Sequence, residues 1–208
     1  IFISGRDIPK IDPYLEIWHF PIALYLFLGG LAAGILFFAA LFTALDKDKQ
    51  VPAVVKYAMI IVPVALSIGL MALFYDLTHK LYFWQLYTTI RLESPMSWGA
   101  WVLLIITPLS FLWVFSYFSE IFPKWKLPFS FLEKFETYLA KNRKNMALII
   151  LPLSIILGIY TGILLSAFNA RPLWNNSILG PLFLTSGLST GAAAILLLSK
   201  THFEKSLF

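Results

Sequence analysis

The sequence predicts an all-α integral membrane protein, and its composition carries that fold class. Hydrophobic residues make up 59% of the 208 residues and charged residues only 13%. Uncharged apolar stretches of about 20 residues recur along the chain, and a soluble domain of this size does not need them for its core. We therefore expect one transmembrane helical domain over residues 1–208, built as a bundle of about five spanning helices.

Five segments are long enough to span a bilayer at about 20 residues per crossing. Three of them contain the pattern Gly-x-x-x-Gly, which lets helix backbones approach closely in lipid. We therefore expect the first, fourth and fifth spans to pack tightly together. The predicted spans are residues 21–45, 52–74, 98–118, 146–168 and 178–199.

Basic residues predict the orientation of the bundle. Of the 16 Lys and Arg residues, eleven lie in the first loop and its flank, the third loop and the C-terminus, and five lie in the other connections. Since basic residues concentrate on the cytoplasmic side, the N-terminus is expected outside and the C-terminus inside. The third loop is also predicted to contain an amphipathic helix on the cytoplasmic face, because apolar residues recur there at helical spacing: Phe131, Leu132, Phe135, Tyr138 and Leu139.

Composition also excludes several kinds of chemistry. The sequence has no Cys, so it cannot hold a thiolate-bound iron–sulfur cluster or a Cys-ligated zinc. Its formal charge of +5 is first a topology signal in a multispanning protein, so the partners predicted are membrane lipid and other proteins, not nucleic acid. No row of acidic residues crosses the predicted spans, which disfavours a transporter or channel.

Titratable residues gather instead at the predicted outer face. Glu16 and His19 precede the first span, and Asp76 and His79 follow the second with the same three-residue spacing. Each acid and histidine could share one helix face. Either pair could be an ordinary solvated flank of a span, or a site that handles protons at the membrane surface.

Haem and quinone are the two ligands to weigh at this face. A haem bound by two histidines would need His19 and His79 inside one cavity, but both lie at helix ends, so we expect no haem and no metal. A quinone has an apolar body and two carbonyls, and its reduction consumes two protons, so its site needs hydrogen-bond donors and titratable groups. His19 could donate to a carbonyl and Glu16 could resupply its proton, while Tyr160 could donate from the fourth span or be a packed aromatic beside Gly158 and Gly162.

Four segments resemble a known family, in matching order and over about residues 18–199. They are "PIALYLFLGGLAAG", "ESPMSWGAW", "GIYTGILLS" and "PLFLTSGLSTGAA". They are similar to signature segments of the NrfD-like membrane subunits of polysulfide reductase and its relatives.

The resemblance implies a haem-free quinone-binding anchor in the cytoplasmic membrane. It also implies partners at the outer face: a ferredoxin-like iron–sulfur subunit and, beyond it, often a molybdenum catalytic subunit. Glu16, His19 and Tyr160 are the positions that match the family's quinone site. Asp76 and His79 are further candidates from their spacing and position alone. The family commonly has an amide at the first position, so a carboxylate there favours proton relay. A purely structural anchor is the alternative, and a transporter is a weaker one.

Overall fold

The computed structural model describes residues 20–76, 81, 84–88, 95–123, 130–166 and 176–199, and the regular structure in these ranges is entirely helical. At residues 76, 85, 86, 95 and 96 only the backbone is described. The helices are α1 (Phe20–Ala44), the π-helix π1 (Ala53–Ala58), α2 (Met59–Asp76), α3 (Gln85–Thr88), α4 (Pro95–Ser116), α5 (Phe118–Ile121), α6 (Ser130–Lys141), α7 (Arg143–Ser166) and α8 (Leu179–Leu198). The predicted all-α fold class is confirmed.

Five helical segments are long and apolar enough to cross a membrane. Their bounds agree with the predicted spans to within about three residues at each end, the scatter expected for helix boundaries. The five segments are Phe20–Ala44, Ala53–Tyr75, Ser97–Ser116, Arg143–Ser166 and Leu179–Leu198. The chain is therefore a multi-pass helical membrane protein.

The largest difference from the predicted bounds is at the start of α7. This helix begins at Arg143, three residues before the predicted start at Met146. The two charged residues of its first turn both have acidic partners, since Arg143 pairs with Glu120 and Lys144 with Asp46. Because these charges are paired at the end of the bundle, the helix can include them.

Helix α1 lies at the centre of the bundle. It packs against α2, α7 and α8, while α4 packs against α2 and α7. Residues on several faces of α1 are buried, so other helices must surround it. The buried residues include Ala32, Ala33, Ile35, Leu36, Ala39 and Ala40.

Glycines set the distance between α1, α7 and α8. A Cβ atom added at Gly34 would lie 2.1 Å from the carbonyl oxygen of Gly187, so no side chain fits at this crossing. Gly191 of α8 approaches the backbone of Gly34 as closely, and Gly162 of α7 lies against the first turn of α8. The expected tight packing of the first, fourth and fifth spans is therefore present.

Helix α6 is the predicted amphipathic helix between the third and fourth spans. Glu136 and Leu139 are buried on its inner face, while Phe131 and Tyr138 are 74% and 64% exposed. The Glu136 carboxylate accepts hydrogen bonds from the backbone N–H of Ser119 at 2.8 Å and from its hydroxyl at 2.6 Å. This pair attaches α6 to the segment that follows α4.

Candidate functional site

The two ends of the bundle are defined by the direction of its helices. At one end α1, α4 and α8 begin and α2 and α7 end; we call it the Tyr25 end. The opposite end, where α4 ends and α7 begins, is called the Glu120 end. Contacts between helices confirm this antiparallel arrangement, because Tyr25 near the start of α1 lies beside Gly69 in the second half of α2, and Gly99 near the start of α4 lies beside Tyr160 near the end of α7.

The predicted site residues all belong to the Tyr25 end by chain position. Helix α1 begins directly after His19, and α2 ends at Asp76, three residues before His79. Glu16, His19 and His79 lie outside the described residues, as does the side chain of Asp76. Their proposed roles therefore stay predictions, and Tyr160 is the predicted site residue whose surroundings the structure describes.

Tyr160 is a buried residue on α7, only 7% exposed, and its ring lies directly on the backbone of α4 at Gly99. A Cβ atom at Gly99 would lie 1.8 Å from Cζ of Tyr160 and 2.2 Å from its hydroxyl oxygen. Gly158 and Gly162 face α8 instead, where they contact Leu184 and Leu179. Tyr160 is thus seated by α4, and the two flanking glycines serve a different interface.

Tyr25 of α1 is a second buried tyrosine at this end. It is 3% exposed, and a Cβ atom at Gly69 of α2 would lie 3.3 Å from Cδ2 of its ring. The hydroxyls of Tyr25 and Tyr160 interact electrostatically and through a weak hydrogen bond, and Tyr87 of α3 is the next tyrosine in reach. The Tyr25 hydroxyl nevertheless makes no hydrogen bond of ordinary geometry among the described residues.

The sequence also carries signals for Tyr25 and Gly99, although neither residue belongs to the predicted site. Tyr25 is the single polar side chain of α1 before Thr43, and a buried phenol in an apolar helix needs a partner for its hydroxyl. Gly99 lies in "ESPMSWGAW", which was used for the family resemblance alone. Its role as the seat of Tyr160 depends on which helices face each other.

The Glu120 end carries charged residues in direct contact. The Glu120 carboxylate pairs with Lys56 at 2.5 Å and with Arg143 at 2.8 Å. Arg143 also donates to the carbonyl of Ser116, and its guanidinium carbon lies 3.5 Å from the ring centroid of Tyr117. Lys56, near the start of the second span, thus has an acidic partner at the Glu120 end.

Two pKa values at the Glu120 end reflect these contacts. Burial alone would raise the pKa of Glu120, but hydrogen bonds and charge from Lys56 and Arg143 outweigh it and hold that pKa below its ordinary value. Burial raises the pKa of Tyr117 to about 12, against the opposing charge of Arg143. Glu120 is therefore ionised and Tyr117 neutral at physiological pH.

Trp113 links α4 to the second span near the Glu120 end. The Nε1–H of Trp113, which is fully buried, donates to the carbonyl of Val55 at 3.0 Å. Val55 belongs to π1, the first part of the second span. The bond ties α4 to the start of the second span.

The fold and the candidate site define a multi-pass helical membrane protein with two tyrosines buried side by side at one end of its bundle. The chain belongs to the family described as "Polysulphide reductase, NrfD", which matches residues 11–206. The resemblance seen in the four sequence segments is thereby confirmed.

Curated relatives agree with this assignment. The protein is 34% identical to the C subunit of polysulfide reductase from Wolinella succinogenes over 192 residues, 91% of this chain and 60% of that protein. It is 32% identical to Protein NrfD of Escherichia coli over 187 residues, 87% of this chain and 59% of that protein. It is 30% identical to a Protein NrfD homolog of Haemophilus influenzae, covering 92% of this chain and 61% of that protein. The chain thus spans about three fifths of the length of these relatives.

Proposed function

We propose that the chain is the quinone-reactive membrane anchor of a multisubunit respiratory oxidoreductase of the polysulfide or sulfur reductase type. The observation that carries the proposal is Tyr160, a buried phenol seated on Gly99 at the end of the bundle where Glu16 and His19 lead into α1. Family membership supports the same interpretation.

The described residues fit a quinone headgroup. A quinone offers carbonyl acceptors on an apolar ring, and two buried phenols at the Tyr25 end supply neutral donors inside apolar walls. The Tyr25 hydroxyl contacts that of Tyr160 but makes no hydrogen bond of ordinary geometry among the described residues. A neutral hydroxyl suits this position, because a charged donor would be costly to bury in lipid.

Each residue of the proposed site has a role that follows from its chemistry. A bound quinone supplies a carrier for two electrons and two protons. Tyr160 donates a hydrogen bond from inside the bundle and holds the ring in place. His19 donates from the membrane surface and transfers a proton to a ring oxygen, and Glu16 then reprotonates His19 with a new proton taken from the aqueous side. Asp76 and His79 follow α2 at the same end and can serve as a second acid and histidine pair.

Electrons then have to come from or go to another subunit. The chain has no Cys with which to hold an iron–sulfur cluster. The partner proposed is a ferredoxin-like iron–sulfur subunit at the outer face, with a molybdenum catalytic subunit beyond it. Residues 79–97 are the proposed docking segment, and within them Leu81 and Trp84 are 87% and 50% exposed. Cross-links from this segment should reach the iron–sulfur subunit; cross-links confined to this chain would remove the docking role.

The proposed location is the cytoplasmic membrane, with the Tyr25 end outward. The bias of basic residues towards the other face supports this orientation. A Cys introduced between residues 171 and 176 should react with an impermeant label from outside, and one between residues 47 and 50 should not. The reverse result would place the Tyr25 end and its partner in the cytoplasm.

The test of the proposed function is the variant His19→Ala in the intact complex. It should abolish quinone-linked turnover while leaving assembly and the partner's artificial-dye activity intact, because it removes a donor and proton carrier from the surface of the bundle. His202→Ala, in the C-terminal tail, is the matched control and should have no effect. Glu16→Gln should slow the proton-coupled step and change the pH profile. Normal quinone-linked turnover in His19→Ala would contradict a quinone site at Glu16 and His19. The remaining alternatives would then be a purely structural anchor or a quinone site centred on Asp76 and His79.

A further inference from the structure

The outer surface of α6 has an arrangement that its packing against the bundle does not explain. The inner face of this helix is attached by Glu136, whose carboxylate accepts two hydrogen bonds from Ser119, and by the buried Leu139. This attachment fixes the rotation of α6 about its axis. After Ser130, the residues of α6 that remain exposed are Phe131, Glu133, Lys134, Thr137, Tyr138 and Lys141.

One edge of this outer surface is aromatic and adjoins the spanning helix α4. Phe131 and Tyr138 lie seven residues apart, about two helical turns, and therefore share this edge. The ring of Phe131 stacks on that of Phe135, with the ring centroids 6.4 Å apart and 5° between the ring planes. The ring of Phe135 in turn lies 5.9 Å from that of Phe115, near the end of α4. The aromatic edge is thus continuous with a spanning helix, which places it at the boundary of the bilayer.

Two lysines lie beside the aromatic edge. At about 100° per residue, Lys134 and Lys141 fall between that edge and a polar edge formed by Glu133 and Thr137. Neither lysine forms an ion pair among the described residues, unlike Lys144 of α7, which pairs with an aspartate. A lysine at such a boundary places its charge in the headgroup layer while its methylene groups cover apolar surface.

An aromatic edge with unpaired cations beside it is complementary to a lipid that combines acyl chains with a net negative headgroup. We propose that the outer surface of α6 binds anionic phospholipid. Lys134 and Lys141 contact the headgroup phosphates, and Phe131 and Tyr138 lie against the upper part of the acyl chains. A zwitterionic headgroup carries its own cation, so its attraction to the two lysines is weaker.

The loop after α1 reaches the same end of the bundle without this arrangement. There Lys47 and Lys49 alternate with Asp46 and Asp48, so the four charges cancel, and residues 45–50 include no aromatic side chain. Both of these lysines are exposed, as are those of α6. The loop therefore supplies a matched control with the same number of lysines at the same end.

The experiment titrates the delipidated intact complex with dioleoyl phosphatidylglycerol or dioleoyl phosphatidylcholine, and measures the affinity of the first bound lipid by native mass spectrometry. Lys134→Gln and Lys141→Gln should each weaken binding of phosphatidylglycerol about fivefold, the effect of one cation near an anionic lipid. The two positions lie about 10 Å apart along the helix, so the double variant should bind about 25-fold more weakly. Binding of phosphatidylcholine should change by less than about twofold. The control, Lys47→Gln with Lys49→Gln, should bind both lipids as the unchanged protein does.

Four results would overturn the proposal. Unchanged binding of phosphatidylglycerol in the double glutamine variant would remove the role of the lysines, and an equal loss of both lipids would show that α6 does not select by charge. Displacement of phosphatidylglycerol by soluble glycerol phosphate would assign the lysines to a free phosphate compound. Loss of a subunit from the double variant, with lipid binding unchanged, would assign this surface to a protein partner. Lys134→Arg with Lys141→Arg keeps both charges and should bind phosphatidylglycerol normally, which separates loss of charge from loss of folding.

Discussion

The two ends of the bundle bury polar groups in opposite ways. The Glu120 end brings Lys56, Glu120 and Arg143 into contact, and each charge there meets an opposite charge. The Tyr25 end buries two neutral phenols, whose hydroxyls contact each other without a hydrogen bond of ordinary geometry. Paired charges tie helix ends together, whereas neutral donors with only a weak mutual contact remain available to a ligand. We conclude that one end maintains the fold and propose that the other binds the quinone.

The largest effect should come from adding one methyl group at the Tyr25 end. In Gly99→Ala the new Cβ would lie 1.8 Å from Cζ of Tyr160, so the ring has to move. A displacement of about 1 Å in a positioned group can cost about a hundredfold in rate, and quinone-linked turnover should fall by that order.

The control for Gly99→Ala is Gly29→Ala on α1. A Cβ atom at Gly29 would meet nothing within 4 Å, so turnover should be unchanged. Both variants should insert and assemble normally. Turnover within about twofold of normal in Gly99→Ala would show that the position of Tyr160 does not matter to the reaction.

A smaller effect, on stability alone, should follow from Trp113→Phe near the Glu120 end. The change removes the hydrogen bond from Nε1 to the carbonyl of Val55 and leaves a small cavity in a fully buried position. The expected cost is about 2 kcal/mol, seen as a fall of several degrees in melting temperature. Trp101→Phe, at a partly exposed position on the same helix, should cost much less. Weakened naphthoquinone binding in Trp113→Phe would contradict the separation of the two ends.

The smallest effect should come from Glu120→Gln, because the Glu120 side chain is 41% exposed and its ion pairs are partly screened by solvent. The free energy of unfolding should fall by about 1 kcal/mol at neutral pH. The folded-state pKa of Glu120 is lowered, so its contribution is complete above the ordinary value of 4.5 and is lost as the pH falls through the lowered pKa. Melting curves of both proteins should therefore converge in acid. A difference that persists or grows in acid would contradict this assignment.

The sequence predicted the parts of the molecule that depend on local pattern. The five spans and α6 follow from apolar length and helical spacing, and Tyr160 was identified as a polar group within a span. Apart from the glycine-mediated packing of the first, fourth and fifth spans, contacts between distant segments were not predictable in this way. Lys56, Glu120 and Arg143 meet because the start of the second span, the end of α4 with α5, and the start of α7 lie at the same end of the bundle. No sequence periodicity shows which helix ends face each other.

In the candidate site, too, local features were predictable and most contacts between helices were not. Gly99 could be seen as part of a motif, but its contact with Tyr160 depends on the packing of α4 against α7. Tyr25 was missed because a single tyrosine in an apolar helix is also typical of a packed core residue. Glu16, His19, Asp76 and His79 stay predictions made from chain position and chemistry.

The most direct test is an electron cryomicroscopy map of the intact complex with a bound naphthoquinone. The ring should lie at the Tyr25 end, with one carbonyl oxygen within about 3 Å of the hydroxyl of Tyr160. His19 should contact the opposite carbonyl. A ring found at the Glu120 end, or at the Tyr25 end without contact to Tyr160 and His19, would contradict the proposal that this end of the bundle is the quinone site.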